Sequence, residues 1–475
     1  MLTYDLSPRG KMPLYEYLYT RIRQDILSGA LKPDTRLPSK RELANHLNIS
    51  VTTVENTYAQ LVLEGYLYSR PGSGFYVKYL DEELISSVPQ SVPPPCEGCR
   101  APEEREYLVD FKANKCSHEH FPYSIWSRLM RETLSRKDAE LLRTIPYNGV
   151  FPLRKAIADY LYQSRGMRVN PEQIIIGAGT EYLYGRLLQM FGPDTIIAIE
   201  DPGYKKFSEI SSSQGILWDY IPIDESGMRS DRLRSGRANV VHVSPANHFP
   251  TGIVMPIQRR LELLEWASDR ERRYLIEDDY DSELRYAGKP IPTIFSIDTR
   301  NKVVYMNTFS KSLVPSIRIG YLVLPPYLVR RYQQTLSFYS CTVSAFEQLT
   351  LARFIAEGHF ERHINRLKQY YKGKRDSMLR AIRASRLPRI STIQESNAGT
   401  HFLLRMNTTL SDEQIKQAAE ARNLHLALLS DYSRYQSLSS AGTIVVNYAG
   451  IESEKIPLAV SILEEIFQTD LGKNY

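Results

Sequence analysis

This 475-residue sequence has little of what marks a secreted, disulfide-held or membrane-spanning protein. Four cysteines in that length are too few for a disulfide scaffold. No run of about 18 apolar residues offers a membrane helix, and Met1-Leu2-Thr3-Tyr4-Asp5 opens no signal-peptide core. A cytoplasmic protein without membrane attachment is therefore expected. Net charge is scarce too: +6 is too mild a bias to argue for nucleic acid by itself. What remains is a globular composition, 42% hydrophobic and 24% charged, and a length that suggests about three domains or subdomains. Cys96, Cys99 and Cys116, with His118 and His120 nearby, have a spacing that zinc can use. The group straddles a linker and the start of a domain, so reduced thiols and no metal are expected.

The first 80 residues carry ten Lys and Arg against seven Asp and Glu, so the case for DNA rests on motif. Leu14, Leu18, Ile22 and Ile26 repeat every four positions, and Gly29 supplies a stop. Ser39-Lys40-Arg41-Glu42 fits a capping box that opens a second helix. Ser50 caps a third, with Val54, Tyr58 and Leu61 inward, across a link of helix-turn-helix length. A strand, the turn Pro71-Gly72-Ser73-Gly74 and a strand at Phe75–Val77 complete a winged helix-turn-helix over residues 1–80. The third helix is expected to present Thr52, Thr53 and Asn56 to base edges. Ser39, Lys40, Arg41, Arg70 and Gly72 are expected at phosphates or groove walls.

These strings resemble the GntR family: Pro13-Leu14-Tyr15, Leu37-Pro38-Ser39-Lys40-Arg41-Glu42-Leu43-Ala44, Glu64-Gly65-Tyr66-Leu67 and Ser69-Arg70-Pro71-Gly72-Ser73-Gly74-Phe75. The resemblance implies binding to double-stranded DNA. One departure is Val51, where family members usually carry an arginine. After the module, periodicity fades across a linker at 81–107, with Pro89, Pro93, Pro94 and Pro95 followed by the charged Glu103-Glu104-Arg105-Glu106.

Beyond it, over 108–475, buried strands alternate with amphipathic helices: Ile174–Gly177, Thr195–Ile199, Asn239–Val243, Tyr274–Glu277 and Lys302–Tyr305. An α/β fold with a mostly parallel sheet follows, with a smaller C-terminal α/β subdomain at about 345–475. Ligand groups are expected at strand ends. The most informative of these ends is Thr308-Phe309-Ser310-Lys311, with Arg318 seven residues after the lysine. A lysine amine that forms an imine, beside a hydroxyl and a guanidinium for a phosphate, is what pyridoxal 5'-phosphate needs. Ala178-Gly179-Thr180 opens a helix and offers amides to the same phosphate. Tyr204 is expected to stack on the ring, Asp278 to keep the pyridine nitrogen protonated, and Tyr280 to bond the phenolic oxygen.

Residues 110–470 resemble fold-type I aminotransferases, through Asp201-Pro202-Gly203-Tyr204, Phe249-Pro250-Thr251-Gly252, Glu277-Asp278-Asp279-Tyr280-Asp281-Ser282-Glu283 and Thr308-Phe309-Ser310-Lys311. The fusion is similar to the MocR subfamily of GntR-type regulators. That resemblance implies a homodimer, with the large domains paired head to tail and each DNA module lying across the partner. It also implies transcription switched by pyridoxal phosphate, sometimes with an amino compound. The enzyme pattern breaks in three places. Val445 stands where an aminotransferase holds its substrate-carboxylate arginine, with Arg434 in a nearby loop as a substitute. Phe249 replaces the asparagine that bonds the ring oxygen, leaving Asn247 or His248 as partial cover. Lys205 and Lys206 follow Tyr204 where γ-aminobutyrate binders have an arginine. Efficient transamination is therefore not expected. The leading expectation is a regulator with pyridoxal phosphate as effector, controlling vitamin B6 synthesis or salvage. The alternatives are a sensor of an amino acid or amine that displaces Lys311 from the aldehyde, and a genuine aminotransferase.

Overall fold

The computed structural model describes residues 2–81, 106–112, 120–135, 139–288, 291–434 and 441–473. The linker over 82–105 lies outside them, as do Cys96, Cys99, Cys116 and His118. The chain divides into two compact units, Met1–Glu104 and Arg105–Tyr475.

In the first unit, helices α1 (Leu14–Leu27), α2 (Lys40–Leu47) and α3 (Val51–Leu63) precede a hairpin of β1 (Leu67–Arg70) and β2 (Gly74–Val77). Local chemistry sets these boundaries. Ser39 Oγ accepts the Glu42 N–H at 3.2 Å while Glu42 Oε2 accepts the Ser39 N–H at 2.8 Å, a reciprocal cap worth about 1 kcal/mol. Asn48 ends α2 in the left-handed region at φ 54°, and Ser50 caps α3 through the Thr53 N–H. Leu18, Ile22 and Ile26 of α1 bury against Leu43, Val54, Tyr58 and Leu61. Leu14 is only half-buried, and Tyr17 takes part in the buried face instead.

The second unit is built on a sheet in the order β4-β11-β10-β9-β8-β5-β6-β7. Its chain begins with β3 (Val109–Asp110), then β4 (Ile174–Gly177), β5 (Ile196–Asp201), β6 (Leu217–Asp224), β7 (Gly227–Met228), β8 (Val240–Val243), β9 (Tyr274–Asp278), β10 (Val303–Thr308) and β11 (Gly320–Val323). Strands β10, β9, β8, β5 and β6 pair in parallel, and β11 runs antiparallel between β10 and β4. Side chains alternate between two buried faces, as a sheet covered on both sides requires. Ile175, Ile197, Val240, Ile276 and Val304 meet the helices Thr180–Phe191 and Pro326–Leu336 on one face. Ala198, Val241, Leu275 and Val303 meet Ile257–Ser268 on the other.

Towards the C-terminus lie β12 (Ser391–Gln394), β13 (His401–Met406), β14 (Leu424–His425), β15 (Ala427–Leu428) and β16 (Thr443–Asn447). A four-stranded antiparallel sheet of order β12-β13-β16-β15 forms here, and β14 pairs in parallel with β3. No helix among the described residues is long and apolar enough to cross a membrane.

Candidate functional site

Because β4, β5, β8, β9 and β10 run in one direction, their C-terminal ends open on one edge of the sheet, where α/β folds hold ligands. A cavity of about 450 Å3 lies there. Thr180, Tyr204, Asp278, Tyr280, Ser310, Lys311 and Arg318 line it, so seven of the nine residues singled out from sequence converge. The other two, Ala178 and Gly179, meet the Arg318 guanidinium: its Nη2 lies 3.5 Å from the Ala178 carbonyl.

An anion cradle sits at one end. Gly179 is the cap residue of the helix Thr180–Phe191, at φ 86°, with no side chain closing the helix terminus. The helix amides and the positive end of its dipole are therefore offered to an anion. A Cβ added at Gly179 would fall 3.1 Å from Arg318 Nη2, so the lack of a side chain is what lets the guanidinium approach. Arg318 itself holds a left-handed backbone at φ 49°. Glu181 Oε1 pairs with Lys206 at 2.7 Å, and Glu181 Oε2 lies 3.4 Å from Arg318. The Ser310 N–H donates to Thr308 Oγ1, which fixes the loop that carries Lys311.

The opposite wall explains which acid of Glu277–Asp281 faces the cavity. Glu277 accepts the Ile294 and Phe295 N–H groups, both at 2.8 Å. Asp279 is taken up by Arg165, Tyr305 and Ser282, and Asp281 accepts from Asn247. Asp278 lines the cavity, and its buried Oδ1 has no hydrogen-bond partner among the described residues. A buried carboxylate oxygen without a donor is costly, and a protonated pyridine nitrogen is the donor it lacks. Together with the cradle, this wall fits pyridoxal phosphate. Tyr280 currently donates its hydroxyl to the Asn247 carbonyl at 3.1 Å.

Glu200, His242, His248 and His401 also line the cavity, and of these the sequence points to His248 alone. Burial raises the Glu200 carboxyl to about 8 and lowers His248 to about 3, so both are neutral near pH 6. His401 is lowered to about 4 by burial, with the Lys311 charge adding to the effect. One signal was present in the sequence: a histidine inside the otherwise apolar run Val240–Val243.

The far end is aromatic. Phe249 stands edge-on to Tyr204, His401 and Tyr432 at centroid distances of 6.0, 5.1 and 5.0 Å. Val445 is buried with Leu403 and Ala427 beneath Phe249 and Tyr432. Arg434 does not line the cavity; its guanidinium lies 5.6 Å from the Tyr220 ring centroid. The cations that do line this cavity are Lys112, Lys206, Lys311 and Arg318.

On the first unit, Val51, Thr52, Glu55 and Asn56 form the exposed face of α3. Thr53 is half-buried and its hydroxyl bonds Ser50 at 2.8 Å. Ser39 is occupied as a cap, Arg41 is exposed, and Lys40 Nζ pairs with Glu55 at 2.6 Å. Arg70 lies over the Tyr76 ring at 4.7 Å and donates to the Tyr68 hydroxyl at 2.7 Å, beside the exposed Gly72 turn. Since Glu55 neutralises Lys40 on the face read as DNA-contacting, Glu55→Gln is expected to tighten binding to operator duplex about three- to tenfold at 0.1 M salt. Fluorescence anisotropy against a salt series checks this, and the gain should shrink as salt rises.

Comparison with known proteins agrees with this division. Residues 14–77 match the model for bacterial regulatory proteins of the gntR family, and residues 107–460 match aminotransferase class I and II. The chain is 37% identical to the HTH-type transcriptional regulator YdeL of Bacillus subtilis, over 94% of this chain and 95% of that one. It is 32% identical to the Probable rhizopine catabolism regulatory protein MocR of Rhizobium meliloti, over 97% and 95%. To the HTH-type pyridoxine biosynthesis transcriptional regulator PdxR of Corynebacterium glutamicum it is 30% identical, over 90% of each. Among solved structures, a Pyrococcus horikoshii kynurenine aminotransferase superposes with a TM-score of 0.69 at 24% identity, covering 78% of this chain and 92% of that one, which shows the fold.

Proposed function

The chain belongs to the MocR-type GntR regulators, in which a GntR module is joined to a class I and II aminotransferase domain; on that premise we propose that pyridoxal phosphate, held at Lys311, is the signal to which this transcriptional regulator responds. The observation that carries the reading is the contrast between the two ends of the cavity. Groups for a phosphate and a pyridine nitrogen are all there, whereas the substrate-carboxylate position is Val445, sealed in an apolar cluster. A site built this way serves the ring and its phosphate and gives an amino acid no guanidinium fork.

Each residue then has a part. Lys311 supplies the amine. Ser310, Thr180, the Gly179 amide and Arg318 hold the phosphate. Asp278 keeps a proton on the ring nitrogen, Tyr204 stacks on the ring face, and Tyr280 turns its hydroxyl to the phenolic oxygen. When bound, pyridoxal phosphate supplies a reactive aldehyde and an electron-accepting ring. The unit that faces DNA uses Thr52 and Asn56 at base edges, with Arg41 and Arg70 at phosphates. We take the working form to be a cytoplasmic homodimer on double-stranded DNA, and the likeness to PdxR favours control of vitamin B6 synthesis. A second reading, an amine sensor, is supported by the aromatic far end and by Lys112 and Lys206 at the cavity wall.

The deciding experiment measures affinity and footprint on the DNA upstream of the protein's own gene, at fixed salt, with and without pyridoxal phosphate and with no amine. A change with the phosphate alone is the expected result. No change overturns the effector role, and a response that appears only when an amine is added favours the second reading.

A further inference from the structure

Among the described residues, four buried atoms on the cavity wall lack a hydrogen-bond partner: Glu200 Oε1, His242 Nε2, His248 Nε2 and Asp278 Oδ1. Each of these residues is 5% exposed or less. Leaving such an atom unpaired costs about 1–3 kcal/mol, so the grouping needs a reason. His248 Nε2 lies 3.5 Å from Glu200 Oε2, the oxygen that accepts the Ser244 N–H. His242 is different. It stands in the apolar strand β8, its ring 3.9 Å from that of Phe207 and edge-on to Tyr184, and its Nε2 lies 3.5 Å from Asp278 Oδ2.

We propose that His242 is a positioning residue for Asp278: its Nε2–H donates to Oδ2 and so aims Oδ1 at the protonated nitrogen of a pyridine ring. The inference rests on the reading of the cavity as a pyridoxal phosphate site. The contact at 3.5 Å is long, as site hydrogen bonds are before their ligand arrives. One donor on Oδ2 stops the carboxylate from rotating about its Cβ–Cγ bond. The second oxygen then has a single direction left, into the cavity. The aromatic niche of Phe207 and Tyr184 holds the imidazole where its nitrogen can do this. His242 touches the carboxylate, and through it the ring; it does not touch the reacting aldehyde.

The test compares two ligands on the full chain by equilibrium dialysis: pyridoxal phosphate, and its analogue with C–H in place of the ring nitrogen. His242→Phe keeps the aromatic packing and removes the donor; His242→Gln keeps a donor. The phenylalanine variant is expected to bind pyridoxal phosphate about tenfold more weakly while changing the analogue's affinity less than about twofold, with glutamine recovering most of the loss. A merely structural role would weaken both ligands alike. Equal losses, or no loss, overturn the proposal. If the phenylalanine variant fails to fold, His242→Leu repeats the same comparison. Wild-type protein that binds neither ligand overturns the cofactor reading and this inference with it, whereas wild type that binds both and a variant that does not discriminate overturns the inference alone.

Discussion

Lys311→Ala is expected to abolish the visible absorbance that the protein gains with pyridoxal phosphate, and with it the ligand's effect on DNA affinity. Ligand-free DNA binding should stay within about twofold of wild type, since residues in separate units that share no partners act additively. The reason is chemical. Ser310 and Arg318 can still hold the phosphate, and Asp278 can still face the ring nitrogen. Only the lysine amine joins the aldehyde to the chain. Absorbance spectra and an anisotropy titration on the same samples separate the two effects. A Lys311→Ala protein that still responds to pyridoxal phosphate with unchanged affinity would place the sensor outside this cavity.

Gly179→Val is expected to be nearly as severe at the other end of the ligand. The position combines φ 86° with ψ 176°, a region essentially closed to residues with a Cβ, and occupying it costs about 1–3 kcal/mol. The added Cβ would also lie 3.1 Å from Arg318 Nη2 and 3.2 Å from its Cζ, so the guanidinium must move away from the helix terminus. Affinity for pyridoxal phosphate should fall by about 100-fold or more, equivalent to about 3 kcal/mol. Pyridoxal, which has no phosphate, should lose far less. That difference marks a damaged anion cradle; equal loss of both ligands marks a damaged domain. The melting temperature and the DNA affinity of the variant provide the control for folding.

The parts of this site that were legible in the sequence are those fixed by short covalent spacing. Ser310 and Lys311 are neighbours, Arg318 follows within one loop, and Gly179 separates a strand from a helix, so the proposed amine and phosphate groups could be picked out from short stretches of chain. The module of residues 1–80 was legible for the same reason, because caps and turns are local: Ser39 reaches Glu42, and Ser50 reaches Thr53. The apolar runs of β4, β8 and β9 were readable because strands buried on both faces are apolar throughout.

Tertiary structure decided matters that turn on direction and on distant partners. The strand period of two sends Glu277 and Asp278 to opposite faces, but only the amides of Ile294 and Phe295, 17 and 18 residues away, make Glu277 the structural acid and leave Asp278 for the cavity. The meeting of Glu200, His242 and Asp278 depends on the adjacency of β5, β8 and β9, an order the sequence does not state. Lys40, expected at a phosphate or groove wall, is paired with Glu55 across α2 and α3. Arg434 was a candidate by proximity in the chain, yet its side chain lies over Tyr220. By itself, then, the sequence determined which modules are present and singled out most of the residues that meet in one cavity, because backbone geometry over a few residues suffices for these. Which carboxylate is left unpaired, which charges cancel and which end of the cavity is sealed were decided by the packing of strands and loops far apart in the chain, where side-chain direction is set by neighbours that no local pattern names.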